Sequence, residues 1–147
     1  MCRWGFDQAV AQAVGADCCQ SGTQALGAHS RSISAHDTRA LAGSVDLDAC
    51  LKAQYPNAHR WDFAVGYGEC RLLAFVEVHG AKVNDILAKK EWLDNFLRGQ
   101  GAMLREWAKQ TAFVWVPTRG GFRKGSRQAK ALASKGITTG HRVWLKC

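Results

Sequence analysis

The chain has 147 residues, enough for one domain with one core. Apolar residues make up 47% and charged residues 22%, which excludes a disordered chain, and no apolar run reaches the ~18 residues of a transmembrane helix. Lys and Arg number 20 against 12 acids, and the excess is uneven: from Arg98 onward there are eleven basic residues and one acid, Glu106. Such a half suits a polyanion, with nucleic acid the first candidate and DNA ranked ahead of RNA. An acidic protein surface is the competing partner.

Residues 1–33 are rich in Ala, Gly, Ser and Gln and read as an N-terminal extension with one short helix over 6–14, where Phe6, Val10 and Val14 recur at helical spacing. A linker over 21–34 separates it from a domain over 34–147. Ser44 is placed to cap a helix over 45–54, with Asp46 and Asp48 in its first turn. Two strands follow, 61–67 and 71–79, joined by a short turn at Gly68-Glu69-Cys70. A long helix reads over 83–98, and Gly99 and Gly101 separate it from a second over 102–109. Ala112 to Val116 is a buried-strand pattern closed by Pro117. Ser126 caps a helix to Lys135 with Gly136 as its stop, and residues 142–146 form the last strand. The order α-β-β-α-β-α-β predicts an α/β fold with a mixed central sheet flanked by helices.

The six cysteines include an adjacent pair, Cys18 and Cys19, and no C-x-x-C. Without a basic, apolar leader, reduced thiols and a cytoplasmic location are expected. Cys18, Cys19, His29 and His36 match no zinc-finger spacing. Of the six tryptophans, Trp92, Trp107, Trp115 and Trp144 fall in helix or strand patterns and are expected in the core, as is Trp61.

Chemistry concentrates on the hairpin. Asp62 near the start of one strand and Glu77 near the end of the next lie at the same end of an antiparallel pair. Neighbouring strands are ~4.8 Å apart, so the two carboxylates can share a divalent ion. His79 projects from the same face as Glu77, one strand step on. Mg²⁺ or Mn²⁺ held this way neutralises phosphate charge and activates water, and His79 is placed to assist. Thr118 to Arg127 adds a loop with four basic residues (Arg119, Arg123, Lys124 and Arg127), three glycines and Phe122, running into a helix N-terminus that suits phosphate.

The stretch Trp61-Asp62-Phe63-Ala64-Val65-Gly66, followed by Leu73-Ala74-Phe75-Val76-Glu77-Val78-His79, resembles the core of PD-(D/E)XK nucleases, including restriction-endonuclease-like and Holliday-junction-resolvase-like members. The resemblance covers about half the chain, from Ser44 to Trp115. It implies a restriction-endonuclease-like sheet and metal-dependent hydrolysis of DNA or RNA phosphodiesters. Asp62 and Glu77 match the two acids, and Asp48 or Asp46 the helix acid that joins the metal shell. His79 stands where the family has Lys, and Lys89 or Lys90 on the following helix are candidates for a migrated lysine. No Pro directly precedes Asp62. The alternative is a nuclease fold that has lost its chemistry and serves as a nucleic-acid-binding or protein-interaction module. Dimerisation, by which many small nucleases cut two strands, stays open.

Overall fold

The apolar runs at the middle of the chain become the centre of a five-stranded sheet. The computed structural model describes residues 1–119 and 125–147. In chain order the elements are α1 (Phe6–Ala13), β1 (Ile33–Ala35), β2 (Leu41–Asp46), α2 (Leu47–Leu51), β3 (Phe63–Tyr67), β4 (Leu72–Val78), α3 (Val83–Arg98), α4 (Ala102–Trp107), β5 (Gln110–Val116), α5 (Arg127–Ser134), β6 (Ile137–Thr139) and β7 (Val143–Leu145). The large sheet has the order β2-β3-β4-β5-β6. Its first three strands are antiparallel neighbours, and β5 and β6 each pair parallel to the preceding strand. The parallel pairs need long crossovers, supplied by α3 with α4 and by α5.

Every residue of β3 is buried, because both faces of the sheet are covered. On one face, Ala64, Leu73 and Phe75 meet Phe6 and Val10 of α1, Leu93 and Leu97 of α3, and Leu104 and Trp107 of α4. On the other, Phe63, Val65, Val76 and Val78 meet Val143 and Leu145 of β7. There β1 and β7 form a separate parallel ribbon that lies on the sheet as a third layer. A smaller cluster of Ile86, Trp115, Leu132 and Ile137 seats α5 and β6.

The long helix over 83–98 forms as its pattern predicts, with Ile86, Leu93 and Leu97 buried. Ser126 caps α5 by accepting from the Ala129 amide at 3.2 Å, and Gly136 follows with φ +73°, the left-handed stop expected of it. Around Ser44 the structure differs from the expectation. Residues 41–46 pair with β3, so Ser44 is a fully buried strand residue whose Oγ accepts from the Ala25 amide. The helix is only five residues long, and Asp46 is its N-cap, accepting from the Ala49 amide at 2.8 Å. Pairing to a central strand outweighs the local capping signal of Ser44.

Residues 1–33 do not stand apart. Phe6 and Val10 are fully buried, and fully burying such side chains contributes roughly 1.5–3 kcal/mol each. The Phe6 ring packs 4.9 Å from that of Trp107, and the Trp107 indole donates to the Trp4 carbonyl. The cysteines are not reduced: Cys2–Cys19, Cys18–Cys50 and Cys70–Cys147 are disulfides. Cys18 and Cys19 are thus unavailable to zinc, and the chain end and N-terminal segment are tied to the domain covalently. Trp61, Trp107 and Trp115 are buried as expected, whereas Trp144 is 72% exposed. Alternation along β7 turns Val143 and Leu145 inward and leaves Trp144 facing out.

Candidate metal and active site

The hairpin register decides where the acids meet. Phe63 pairs with Val76, so one step outward Asp62 stands across from Glu77. The Asp62 amide donates to Glu77 Oε1 at 3.0 Å, and the Val78 amide donates to Asp62 Oδ2 at 3.2 Å. Each carboxylate is therefore oriented by the backbone of the opposite strand. Two residues past Glu77 on the same face, His79 brings Nδ1 to 2.7 Å from Glu77 Oε2 and 3.1 Å from Asp62 Oδ2. From α3, Lys89 places Nζ 2.5 Å from Glu77 Oε2 and 3.7 Å from Asp62 Oδ1. The neighbouring strand fixes the frame, since the Trp115 indole donates to the His79 carbonyl at 3.0 Å.

The Glu77 side chain is fully buried, while those of Asp62 and His79 are 17% and 38% exposed, so solvent meets the group on their side. Burial pushes the Asp62 carboxyl above the ordinary range. The nearby Glu77 charge adds to that rise, and Lys89 opposes it. The hydrogen bond to Glu77 raises the His79 imidazole despite the cost of burial. One ligand atom each from Asp62, Glu77 and His79 lies within 4.8 Å of the others. Two carboxylate oxygens and one imidazole nitrogen suit Mn²⁺, and the oxygens alone suit Mg²⁺. The donor set fits such an ion, with Lys89 balancing one of the two negative charges.

Asp48 stands outside this group. Its carboxylate pairs with Arg60 at 2.9 Å, and the same guanidinium binds the Asp48 and Tyr55 carbonyls. Asp46 caps α2. Its carboxyl is raised by burial, with the Asp48 and Asp62 charges adding to the effect. The two lysines on α3 divide. Lys89 reaches the acids, whereas Lys90 is buried, pairs with Asp94 at 2.7 Å and sits 4.1 Å over the Phe113 ring. Lys90 follows Ile86 by one helical turn, on the stripe facing the sheet, and one residue earlier Lys89 falls at the edge, where the strand ends are in reach.

Arg119 lies against Gly80, the residue after His79. A Cβ on Gly80 would come within 2.8 Å of Arg119 Cγ, so only glycine lets the two segments approach so closely. Arg119, the first basic residue of that segment, thus stands at the border of the site. Arg127 is exposed at the first position of α5. Arg123 and Lys124 lie outside the described residues. Two site contacts carried no sequence signal, the Trp115–His79 bond and the Arg60–Asp48 pair, because both depend on which strands and turns become neighbours.

No protein-family model, no curated protein and no solved structure matches this chain.

Proposed function

We propose that the protein is a metal-dependent nuclease of the restriction-endonuclease-like type, hydrolysing phosphodiester bonds of DNA in preference to RNA. The observation that carries this reading is the convergence of Asp62, Glu77, His79 and Lys89 at one end of the β3–β4 hairpin. A five-stranded mixed sheet flanked by helices supports the reading at the level of architecture.

Asp62 and Glu77 would hold Mg²⁺ or Mn²⁺, with His79 available as a third donor. The ion supplies neutralisation of phosphate charge and activation of the attacking water. Lys89 would take the part of the family's lysine, reaching the acids from α3 in place of the strand position that His79 occupies. Its ammonium steadies charge developing on the phosphate. Where His79 is not a ligand, its Nε2 would hold or release a proton at the open side of the site. Arg119 at the border, with the loop beyond it and Arg127, would bind the nucleic-acid backbone. Three disulfides favour an oxidising compartment over the cytoplasm.

The test pairs cleavage with metal binding. Mn²⁺ should support cleavage of an oligonucleotide by the wild type, and Asp62→Asn and Glu77→Gln should lower the rate at least a hundredfold. Mn²⁺ at a hundredfold excess over Kd should add about 2.7 kcal/mol of stability, and Asp62→Asn should abolish the gain. Unaltered cleavage in both variants would sink the reading.

One observation favours a second reading. Glu77 is closed to solvent and already paired with Lys89, the state expected of a nuclease fold whose acids have become structural. Under that reading the module binds nucleic acid or a protein without cutting, and Mn²⁺ leaves the melting temperature unmoved.

A further inference from the structure

The outward face of the β1–β7 ribbon has no part in the carboxylate site. The ribbon covers the sheet face opposite the one packed by α1, α3 and α4, and Lys89 approaches the acids from α3. On β7 the inward residues are Val143 and Leu145, so Trp144 points out, and Arg142 and Lys146 flank the strand two residues before and two after it. All three are exposed, and among the described residues Trp144 is the only aromatic residue among the exposed large apolar side chains. Across the ribbon, Trp144 pairs with Ser34, a small side chain, and is itself 72% exposed. Arg142 is held in place by donating to Ser34 Oγ at 2.7 Å.

Lys146 also lines a cavity of about 750 Å³ at the ribbon's edge, along with Arg3, His36 and Arg39. Asp37 and Glu69 line it too, but Asp37 is neutralised by Arg39, 3.1 Å away. An exposed indole with a cation two residues to either side in sequence offers a base a stacking surface and the adjoining phosphates a counter-charge. Once Arg39 is paired with Asp37, Arg3 and Lys146 are the cations of the cavity wall and Glu69 its remaining acid.

We propose that this face, Arg142-Trp144-Lys146 with the cavity beside it, binds single-stranded nucleic acid by stacking a base on Trp144. Along a duplex the bases are stacked on one another, so an unpaired strand is the form the indole selects. The surface is separate from the carboxylate site, and its occupancy needs no metal.

The test measures fluorescence anisotropy of labelled oligothymidine and of a duplex, in EDTA so that nothing is cut. Trp144→Ala should weaken single-strand binding about tenfold and leave duplex binding nearly unchanged. The Arg142→Ala, Lys146→Ala double variant should reduce the slope of log K against log salt by about 1.4. Because Trp144 is exposed, melting temperatures of the variants should match the wild type. Unchanged single-strand affinity in Trp144→Ala overturns the proposal. So does a dimer that Trp144→Ala dissociates while oligothymidine affinity stays the same, since the face would then serve self-association. If no substrate is cleaved in Mn²⁺ but the Trp144 dependence holds, only the nuclease reading falls.

Discussion

The two ends of the β3–β4 hairpin are held by different forces. At the turn, Cys70 is bonded to Cys147, and Arg71 adopts φ +51° to complete the tight reversal. At the open end no covalent tie joins the strands, and Asp62, Glu77, His79 and Lys89 hold one another by charge and hydrogen bonds. The tied end is held by a bond that protons and cations leave intact and that only a reductant opens. The charged end carries Asp62 and His79, whose proton affinities the fold shifts, so it responds to pH.

The largest expected effect lies at the tied end. Cys70 and Cys147 are 77 residues apart, and removing a crosslink over such a loop costs about 4–5 kcal/mol of chain entropy. Cys2 and Cys19 are 17 apart, for which the same relation gives about 3 kcal/mol. Urea denaturation of the two Cys→Ser double variants should reproduce that order, and a reversed order would show that native contacts outweigh loop closure.

A smaller effect is expected at the charged end. Lys89→Met leaves Glu77 buried without its cation, which should cost roughly 3 kcal/mol, the lower end for a broken buried pair because Lys89 retains some solvent. Lys90→Met removes the ammonium that pairs with Asp94 and lies 4.1 Å over the Phe113 ring, but Asp94 is 36% exposed and readily hydrated, so about 1 kcal/mol is expected. Equal losses by thermal melting would mean that Lys89 is no more tied to the acids than Lys90 is to Asp94.

The smallest effect is a pH dependence confined to the charged end. Folded His79 binds its proton more tightly than an unfolded imidazole near 6.5. Its contribution is complete below that pH and is lost as pH rises through the higher folded value. Asp62 is also raised, from 3.8, by burial first and the Glu77 charge second, so its contribution declines as pH rises from about that value. In EDTA, His79→Gln should flatten the decline in melting temperature above pH 6.5. A decline that persists in this variant would assign it to another group.

Legibility followed chemistry. β3, β4, β5 and α3 announce themselves through long apolar runs and stripes, and the acids that meet at the sheet end were visible because a hairpin register follows from a short turn. Lys89 and Lys90 were both visible on α3, but only the tilt of that helix against the strand ends separates one from the other. β2 was hidden because Gly43 and Ser44 are poor strand formers and gain their pairing from β3. β6, three residues long, depends in the same way on β5. The disulfides were illegible because pairing depends on which loops approach, and spacing alone says nothing of that. Trp144 reads as core by composition, and only the ribbon's placement as a third layer turns it outward.

Asp62 is gripped from both sides of its own backbone. Its carbonyl accepts from the Leu47 and Asp48 amides at the start of α2, while its carboxylate meets β4 and His79. Cys50 of that short helix is bonded to Cys18. The first twenty residues, remote in sequence from Asp62, are therefore coupled to it through one disulfide and two hydrogen bonds: a shift in how they seat would pass through α2 to the Asp62 backbone.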